Sequence, residues 1–421
     1  MTACIADVLT VPVRAGFFTD DQAAIRAGAR HDGFAYVGRP VTPGFVSVRQ
    51  PGEALSVLLL LDDGSVAYGD CAAVQYSGTG GRDPVLSAAA AQAEVTRRVA
   101  PLLVGRKLTG FRELARDVDT DGMPGQPMHT AVRYGVTQAL LDAVATARRV
   151  TMAEVVRDEY NTCVALAPVP MFAQTGDERY ANAEKMILKR VDVLPHGLIN
   201  TVEGKLGRRG ELLEEYVRWL AGRIAVLGGD GYRPRLHFDT YGTVGLAFDG
   251  DVPAVADYLA RLAAAAEPYS LTIEHPIDAG SRGGQIEVMA SLRAALARLG
   301  SPVRLVADEW CNTLDDIREF VEAGAADVIH VKSPDLGGVN NMIDALLHVR
   351  SRGYGAYCGG TCNETDRSAV VSAHVAMACG AEQVLAKPGM GVDEGLLIVG
   401  NEMARTAALA GARDRLGAGV R

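Results

Sequence analysis

The residues of this chain whose types and spacing could support catalysis are three acidic residues and one lysine. Asp239, Glu274 and Asp308 each end a short apolar segment, and they are 35 and 34 residues apart. Lys332 follows 24 residues after Asp308, at the end of the alternating β-branched segment 328–332. Three carboxylates that met at one place would repel one another unless they shared a cation, and hard oxygen ligands suit Mg²⁺. The spacing therefore predicts a magnesium site beside a lysine.

Such a group of residues is suited to removing a proton next to a carboxylate. A lysine near a divalent cation and away from water has a lowered pKa, so its neutral amine can act as a base. The enediolate formed by the proton transfer needs a cation beside its oxygens, as in enolase-type sites. His196, in the apolar segment 193–198, is a candidate for a second acid or base.

Each of these residues also has a simpler interpretation. An acidic residue after a strand is commonly a helix N-cap or a solvated loop residue, and a histidine before a glycine commonly lies in a loop. A lysine near carboxylates can form a structural ion pair with one of them. Three acidic residues at equal spacing, followed by a strand-end lysine, favour the catalytic interpretation over capping.

The elements that must position these residues are short apolar strands that alternate with helices after residue 165. The predicted strands are 171–174, 235–239, 271–274, 303–308, 328–332, 355–358 and 383–386. Seven or eight such units in about 250 residues are typical of a closed (β/α) barrel, in which active sites lie at the carboxyl ends of the strands. The alternative, a doubly wound open sheet, normally carries a glycine-rich turn after its first strand, and no G-x-G-x-x-G motif occupies that position.

The first 160 residues or so show a different pattern, in which strands are followed by long helices. Residues 8–13 and 54–61 are predicted strands, whereas 84–103 and 129–158 are predicted helices. This order is typical of an α+β unit. We therefore predict an α/β protein with an N-terminal α+β capping domain over residues 1–161 and a TIM-like (β/α) barrel catalytic domain over residues 162–421.

The composition excludes several classes of protein. The 421 residues include 42 Lys and Arg against 51 Asp and Glu, and this excess of acid argues against nucleic acid or an anionic membrane as the main partner. No apolar run reaches the roughly 18 residues of a membrane span, and no basic segment precedes a hydrophobic core at the start. Seven cysteines without paired spacing suit a reducing compartment. We expect a cytoplasmic enzyme that acts on a small molecule.

Four long segments resemble one known family. They are VADEWCNT (306–313), KSPDLGGVNN (332–341), AYCGGTCNET (356–365) and VLAKPGMGVDEG (384–395). Residues 69–78, residues 172–177 and the segment around His196 fit the same pattern, so the resemblance covers nearly the whole chain. The sequence resembles the methylaspartate ammonia-lyases of the enolase superfamily, whose architecture is a barrel with a capping domain.

The resemblance implies a reaction, its cofactors and the roles of the residues. The reaction is reversible elimination of ammonia from L-threo-3-methylaspartate, an amino-dicarboxylate, to give mesaconate, with Mg²⁺ essential and K⁺ a possible monovalent activator. Asp239, Glu274 and Asp308 are implied as Mg²⁺ ligands. Lys332 is implied to remove the C3 proton of the (2S,3S) substrate, and His196 to act on the opposite face for the other epimer. The resemblance also implies a homodimer.

The resemblance further implies which residues meet the substrate. The substrate-contacting positions are Gln174, Thr361 and Cys362, and the residues expected to line the pocket and enclose the methyl group are Gln75, Phe172, Tyr357 and Leu385. One position departs from the family pattern, because the residue two before the lysine, a glutamine that contacts the substrate carboxylate, is His330 here. Histidine has a shorter reach and can gain a charge between about pH 5 and 8, so substrate alignment, epimer preference and pH optimum can differ.

Two alternatives to an ammonia-lyase therefore stay open. One is another enolase-superfamily lyase, dehydratase or epimerase acting on a related amino or hydroxy acid. The other is a barrel that binds Mg²⁺ and a ligand without turnover.

Two further motifs are less specific. The turn at residues 78–81 lacks the Lys-Ser/Thr pair of a phosphate-binding loop, and we expect it to be a mobile turn over the site. Cys358 and Cys362 are spaced like a metal pair, but no second pair exists. Their strand-end positions favour pocket lining over zinc binding.

Overall fold

The computed structural model describes residues 3–120 and 127–418. The strands of its N-terminal part are β1 (Ile5–Asp20), β2 (Arg30–Asp32), β3 (Ala35–Val37), β4 (Arg49–Leu61) and β5 (Val66–Ala72). The helices are α1 (Gln22–Arg26), α2 (Ala88–Glu94), α3 (Ala100–Leu103), α4 (Phe111–Thr120), α5 (Thr130–Arg148) and α6 (Met152–Glu159), with a π-helical turn at Val95–Val99. Strands β1, β4 and β5 form an antiparallel sheet in that order, and β2 pairs with β3. The predicted strands at residues 8–13 and 54–61 are confirmed within β1 and β4.

The three-stranded sheet buries one face against helices. Along β4, Leu55, Val57, Leu59 and Leu61 are buried, and the residues between them are partly exposed. This period of two is the pattern of a strand with one face in a core. Helix α5 is buried along most of its length, so the sheet and α5 form the core of the N-terminal part.

The two predicted helices of this part have different outcomes. The helix predicted at 84–103 is confirmed from Ala88 to Leu103, with the π-helical turn in its middle. The single helix predicted at 129–158 is wrong, because Arg149 adopts a φ of 58° and ends α5. Thr151 and Glu154 then form a capping box that starts α6. Apolar residues keep their helical spacing across this break and so conceal it.

The C-terminal part is a closed barrel of eight parallel strands. They are β6 (Met171–Phe172), β7 (Val193–His196), β8 (Arg235–Asp239), β9 (Leu271–Glu274), β10 (Arg304–Ala307), β11 (Val328–Val331), β12 (Gly355–Cys358) and β13 (Gln383–Leu385). The helices are α7 (Arg179–Leu188), α8 (Glu211–Leu227), α9 (Thr243–Ala247), α10 (Val252–Ala266), α11 (Arg282–Arg298), α12 (Leu314–Glu322), α13 (Val339–Ser351), α14 (Asp366–Cys379) and α15 (Asp393–Ala418), with a π-helical turn at Val202–Leu206. Strand β13 pairs with β6, which confirms the barrel and excludes the open sheet. None of the helices in the described ranges is both long and apolar enough to cross a membrane.

Strand β7 is not among the seven strands predicted from the sequence. Pro195 lies inside it, and proline is unfavourable in a central strand because it has no N–H to donate. Pro195 nevertheless pairs in register with His237 of β8. As a result, His196 ends its strand in the same way as the acidic residues end β8 and β9.

The N-terminal part covers the carboxyl ends of the barrel strands. The Gly16 N–H donates a hydrogen bond to the Glu364 carbonyl oxygen at 3.1 Å. Asn312 Nδ2 donates to the Gly80 carbonyl oxygen at 2.6 Å. The mouth of the barrel is therefore enclosed by both parts of the chain.

Candidate active site

Three successive barrel strands present acidic residues at the mouth. Asp239 and Glu274 are the last residues of β8 and β9, and Asp308 directly follows β10. Parallel pairing places Asp239 opposite Glu274. All three residues are buried, and they line one small cavity. The structure thus brings together the three acidic residues predicted as metal ligands.

The mutual repulsion of these carboxylates appears in a pKa. Burial raises the pKa of Asp239 well above its ordinary value, and the charges of Glu274 and Asp308 raise it further. Oδ1 of Asp308 is buried and accepts no hydrogen bond of normal geometry. Because oxygen ligands converge here around an unsatisfied acceptor, the residues fit a hard divalent cation.

Glu274 is held from both sides by histidines. His237 Nε2 lies 2.8 Å from Glu274 Oε2, and His330 Nδ1 lies 2.6 Å from Oε1. Gln383 Nε2 donates to His237 Nδ1, and the Gly360 N–H donates to His330 Nε2, both at 3.1 Å. Each ring therefore carries its proton on the nitrogen that faces Glu274. Burial alone would raise the pKa of Glu274, but His330 and His237 outweigh burial and lower it to about 2.

Both ring nitrogens of His330 are bonded within the protein. Nδ1 also lies 3.2 Å from Asp308 Oδ1, and the ring packs on Tyr357 with centroids 4.2 Å apart. Donor atoms of His330, Glu274 and Asp308 lie within 4.8 Å of one another, close enough to share a metal ion. Since Nδ1 carries the proton, His330 here orients the carboxylates as a donor. A Cβ at Gly359 would overlap Nε2, so glycine is required beside this ring.

Lys332 directly follows β11 and contacts Asp308. Its Nζ lies 2.6 Å from Asp308 Oδ1, so the ion pair considered as the simpler interpretation is present in this arrangement. Burial opposes the charge of the amine, but the Asp308 carboxylate outweighs it and raises the pKa of Lys332. A divalent cation on Asp308 would oppose this effect, because a positive charge disfavours a second one nearby.

His196 lies across the barrel from Lys332. Strand β7, which it ends, is four strands from β11 in the closed ring of eight. His196 Nε2 lies 3.5 Å from Asp239 Oδ2. Burial lowers the pKa of His196 to about 4, so the ring is neutral near pH 7 and able to accept a proton. The cavity therefore has a potential base on each of two opposite sides.

The other predicted residues surround the same cavity, with one exception. Those that line it are Gln75, Gln174, His330, Tyr357, Thr361, Cys362 and Leu385. Gln75 comes from the N-terminal part, and Cys362 Sγ donates to its Oε1 at 3.5 Å. Phe172 lies beneath the lining, fully buried, and stacks on His237 with ring centroids 4.1 Å apart. It supports the floor of the cavity.

Cys358 and Cys362 have different environments. Cys358 Sγ contacts the Ser372 carbonyl oxygen of α14 at 3.6 Å and lies outside the cavity. The expectation that Cys358 lines the pocket is therefore wrong, because its side chain faces the outer helices. All seven cysteines are free.

Lys387 supports the site but is not among the residues predicted from the sequence. Its side chain has no exposed surface. Nζ donates to Glu364 Oε2 at 2.8 Å, to the Gly359 carbonyl oxygen at 2.9 Å and to Ser333 Oγ at 3.1 Å. It thus connects the loops after β11 and β12. The available signal is its place directly after the predicted strand 383–386, which matches the place of Lys332.

His237 is also absent from the sequence-based prediction. It lies two residues before Asp239 in β8, and alternating side chains place both residues on the inner face. The period of two would therefore identify it as a neighbour of the acidic residues.

The fold and the site define a class of protein. A parallel (β/α) barrel under an α+β cap, with acidic residues at three successive strand ends and a lysine after the next strand, has the architecture of the enolase superfamily. A muconate lactonizing enzyme from Pseudomonas fluorescens, in complex with muconolactone, shares this fold. Its TM-score is 0.61 at 19% identity, over 90% of this chain and 85% of that one.

Two family models then match nearly the whole chain. The model of the methylaspartate ammonia-lyase N-terminus matches residues 3–161, and that of the C-terminus matches residues 163–412. The chain belongs to the methylaspartate ammonia-lyase family, a family of carbon–nitrogen lyases. This result confirms the family predicted from the sequence.

Relatives are similar along their whole length. The methylaspartate ammonia-lyase of Clostridium tetanomorphum is 56% identical, over 97% of this chain and 99% of the relative. The structure of β-methylaspartase from that organism as a Mg complex has a TM-score of 0.93 at 56% identity, covering 97% of this chain and 100% of that one. The Citrobacter amalonaticus enzyme containing (2S,3S)-3-methylaspartic acid has a TM-score of 0.95 at 51% identity, covering 97% and 99%.

Proposed function

We propose that this chain catalyses the reversible elimination of ammonia from L-threo-3-methylaspartate to give mesaconate. The observation that carries the proposal is the shared cavity of Asp239, Glu274, Asp308 and Lys332 at four successive strand ends. Family membership supports it, because relatives more than half identical to this chain are methylaspartate ammonia-lyases.

The three acidic residues are proposed to hold Mg²⁺. Their oxygen ligands suit this ion, and the Mg complex of the C. tetanomorphum relative supports the assignment. When bound, the cation would neutralise negative charge that develops on the substrate carboxylate next to C3. K⁺ as a monovalent activator is a further proposal, which the family resemblance supports.

Lys332 is proposed as the base for the (2S,3S) substrate. Its neutral amine would accept the C3 proton, and the adjacent carboxylate would hold the electron pair left at C3. The C2–N bond then breaks, the pair forms the C2=C3 double bond, and ammonia leaves. The burial of Lys332 at the mouth supports this role, because a base that excludes water keeps the proton transfer on the substrate.

The remaining lining residues are proposed to bind and enclose the substrate. Gln174, Thr361 and Cys362 are assigned to its polar groups, and Gln75, Phe172, Tyr357 and Leu385 to the walls and floor. His330 is assigned to the substrate carboxylate. It would reach that group by exchanging its contact with Asp308 Oδ1, the longer of its two carboxylate contacts.

His196→Ala is expected to change epimer selectivity more than total activity. Because His196 lies four strands from Lys332, it serves the opposite substrate face. Ammonia release from the C3 epimer should fall by about 100-fold, the usual lower range for loss of a general base, while release from the (2S,3S) substrate falls by less than about tenfold. His374→Ala, which alters a buried histidine bonded to Glu402 outside the cavity, is the matched control. An unchanged epimer profile in His196→Ala would remove the proposed role.

Mesaconate absorbance, followed with and without Mg²⁺ across pH, tests the proposed function. Equal amounts of mesaconate and ammonia are expected from 3-methylaspartate, with slower release from aspartate and none from hydroxy acids. Chelation of the metal should stop the reaction. A preference for a related acid would favour the alternative lyase, dehydratase or epimerase that His330 raises, whereas inactivity of the metal-loaded protein towards every acid would favour a binding barrel.

The organisation of the chain completes the proposal. Residues 1–161 are assigned as the cap and residues 162–421 as the catalytic barrel, since the first barrel strand is β6. A homodimer is supported by Leu9, Val11 and Val13, which alternate along β1 with exposed fractions of 49%, 49% and 37%. Seven free cysteines support a cytoplasmic location.

A further inference from the structure

The turn at residues 78–81 leads into an arginine at the mouth of the barrel. Three glycines of this turn have φ values from 62° to 82°, which glycine adopts without strain. Asn312 Nδ2 fastens the turn to the barrel through its hydrogen bond to the Gly80 carbonyl oxygen. The Arg82 side chain that follows is 3% exposed and reaches the cavity. The turn therefore delivers one buried cation from the cap to the barrel.

Arg82 connects the two barrel loops on which the proposed reaction depends. Its Nη2 lies 2.5 Å from Glu309 Oε2, and its Nε donates to Asp335 Oδ2 at 2.8 Å. Glu309 is the residue after Asp308. The Asp335 N–H donates to the Lys332 carbonyl oxygen at 3.1 Å and closes the turn after the lysine. One guanidinium group thus connects the loop of a proposed metal ligand to the loop of the proposed base.

The chemistry of the contact suits a positioning role. The side chains of Glu309 and Asp335 are 10% and 5% exposed, so their charges have little water to compensate them. The planar guanidinium can hold two carboxylates at fixed angles, whereas a lysine offers a single point charge. A displacement of about 1 Å at a reacting group can cost about 100-fold in rate. Fixing the turn after Lys332 therefore has a direct consequence for proton transfer.

We propose that Arg82 is a positioning residue that aims Lys332 at C3 by holding Glu309 and Asp335 together from the cap. The proposal rests on the proposed ammonia-lyase function. It assigns to the 78–81 turn, together with Arg82, a specific task on one of the two substrate faces. His196 on β7 has no contact with this cluster, so its face should be independent of Arg82.

Arg82→Gln tests the proposal through epimer-resolved exchange. In D₂O, with Mg²⁺ present, NMR would follow deuterium incorporation at C3 of the (2S,3S) substrate and of its C3 epimer. Exchange of the (2S,3S) substrate is expected to fall by about 100-fold, whereas that of the epimer changes by less than about threefold. Arg82→Lys should recover part of the loss, because it keeps the charge but cannot hold both carboxylates in the same way.

A second variant covers failure of the first to fold. Arg82→Gln combined with Glu309→Gln and Asp335→Asn leaves no unpaired buried charge, and it should show the same epimer-specific loss. The matched control is Arg367→Gln, which removes the 2.8 Å ion pair from Arg367 in α14 to Asp142 in α5, away from the cavity. This control is expected to lower the melting temperature and leave the epimer ratio unchanged.

The outcomes separate the two proposals. If the unmodified protein neither exchanges nor eliminates either epimer, the proposed function is wrong. If the unmodified protein is active and Arg82→Gln slows both epimers equally, or neither, the positioning role is wrong and Arg82 only joins the cap to the barrel.

Discussion

Lys332→Ala is expected to reduce ammonia elimination from (2S,3S)-3-methylaspartate by about 1,000-fold, within the range of roughly 10²–10⁴ that a positioned general base contributes. The amine lies beside the acidic cluster, with Nζ 2.6 Å from Asp308 Oδ1. His196 is on the opposite side of the barrel and cannot reach the same substrate face. The loss should therefore appear in kcat, with a smaller change in KM. Steady-state mesaconate absorbance at saturating Mg²⁺ measures both.

The control for this substitution is another lysine in an ion pair. Lys205 Nζ lies 2.8 Å from Asp177 Oδ1, and Lys205 does not line the cavity. Lys205→Ala should keep nearly full activity. A folded Lys332→Ala variant that retained the normal rate would show that the proton leaves C3 by another route.

Asp239→Asn is expected to weaken Mg²⁺ binding by at least about 100-fold and to abolish measurable elimination. Asp239 Oδ1 accepts a hydrogen bond from the Tyr241 N–H at 3.1 Å, and the asparagine oxygen can keep this bond. The substitution therefore removes a charge with little change of shape. Because that charge repels Glu274 and Asp308, the melting temperature without divalent cations should rise. Titration calorimetry with Mg²⁺ and thermal unfolding with and without the ion measure these two effects.

Asp192→Asn provides the control for the loss of a carboxylate. Asp192 Oδ2 accepts from the Met171 N–H at 2.9 Å, near the start of β6 and away from the cavity. This variant should bind Mg²⁺ normally. Normal Mg²⁺ affinity in Asp239→Asn would instead exclude Asp239 from the metal site, whatever its activity.

The barrel and its acidic residues are predictable because both depend on local patterns. Each apolar strand repeats at nearly constant spacing, and Asp239, Glu274 and Asp308 occupy equivalent places at the strand ends. Alternation along a strand then brings the three side chains to one mouth. Thr361 and Cys362 differ, because only the family resemblance identifies them among the loop residues.

The parts that local patterns do not predict depend on contacts between distant segments. Pro195 conceals β7, whose pairing exists only in the closed ring. His237 is oriented by Gln383, 146 residues away in the sequence. Lys387 has its partners in the loops after two other strands, one of them at Ser333. Such residues have ordinary sequence surroundings, and their roles follow from the assembled barrel.

The sealed environment of Lys387 has a consequence for chemical labelling. Only six of the 42 basic residues are lysines. Lys387 has no exposed surface, and Lys332 is the one lysine among the described residues that line the cavity. The other four are at least partly exposed. A small amine-directed reagent would therefore mark the cavity at a single position, with surface lysines as internal standards, and protection of that position by a ligand could be counted by mass spectrometry.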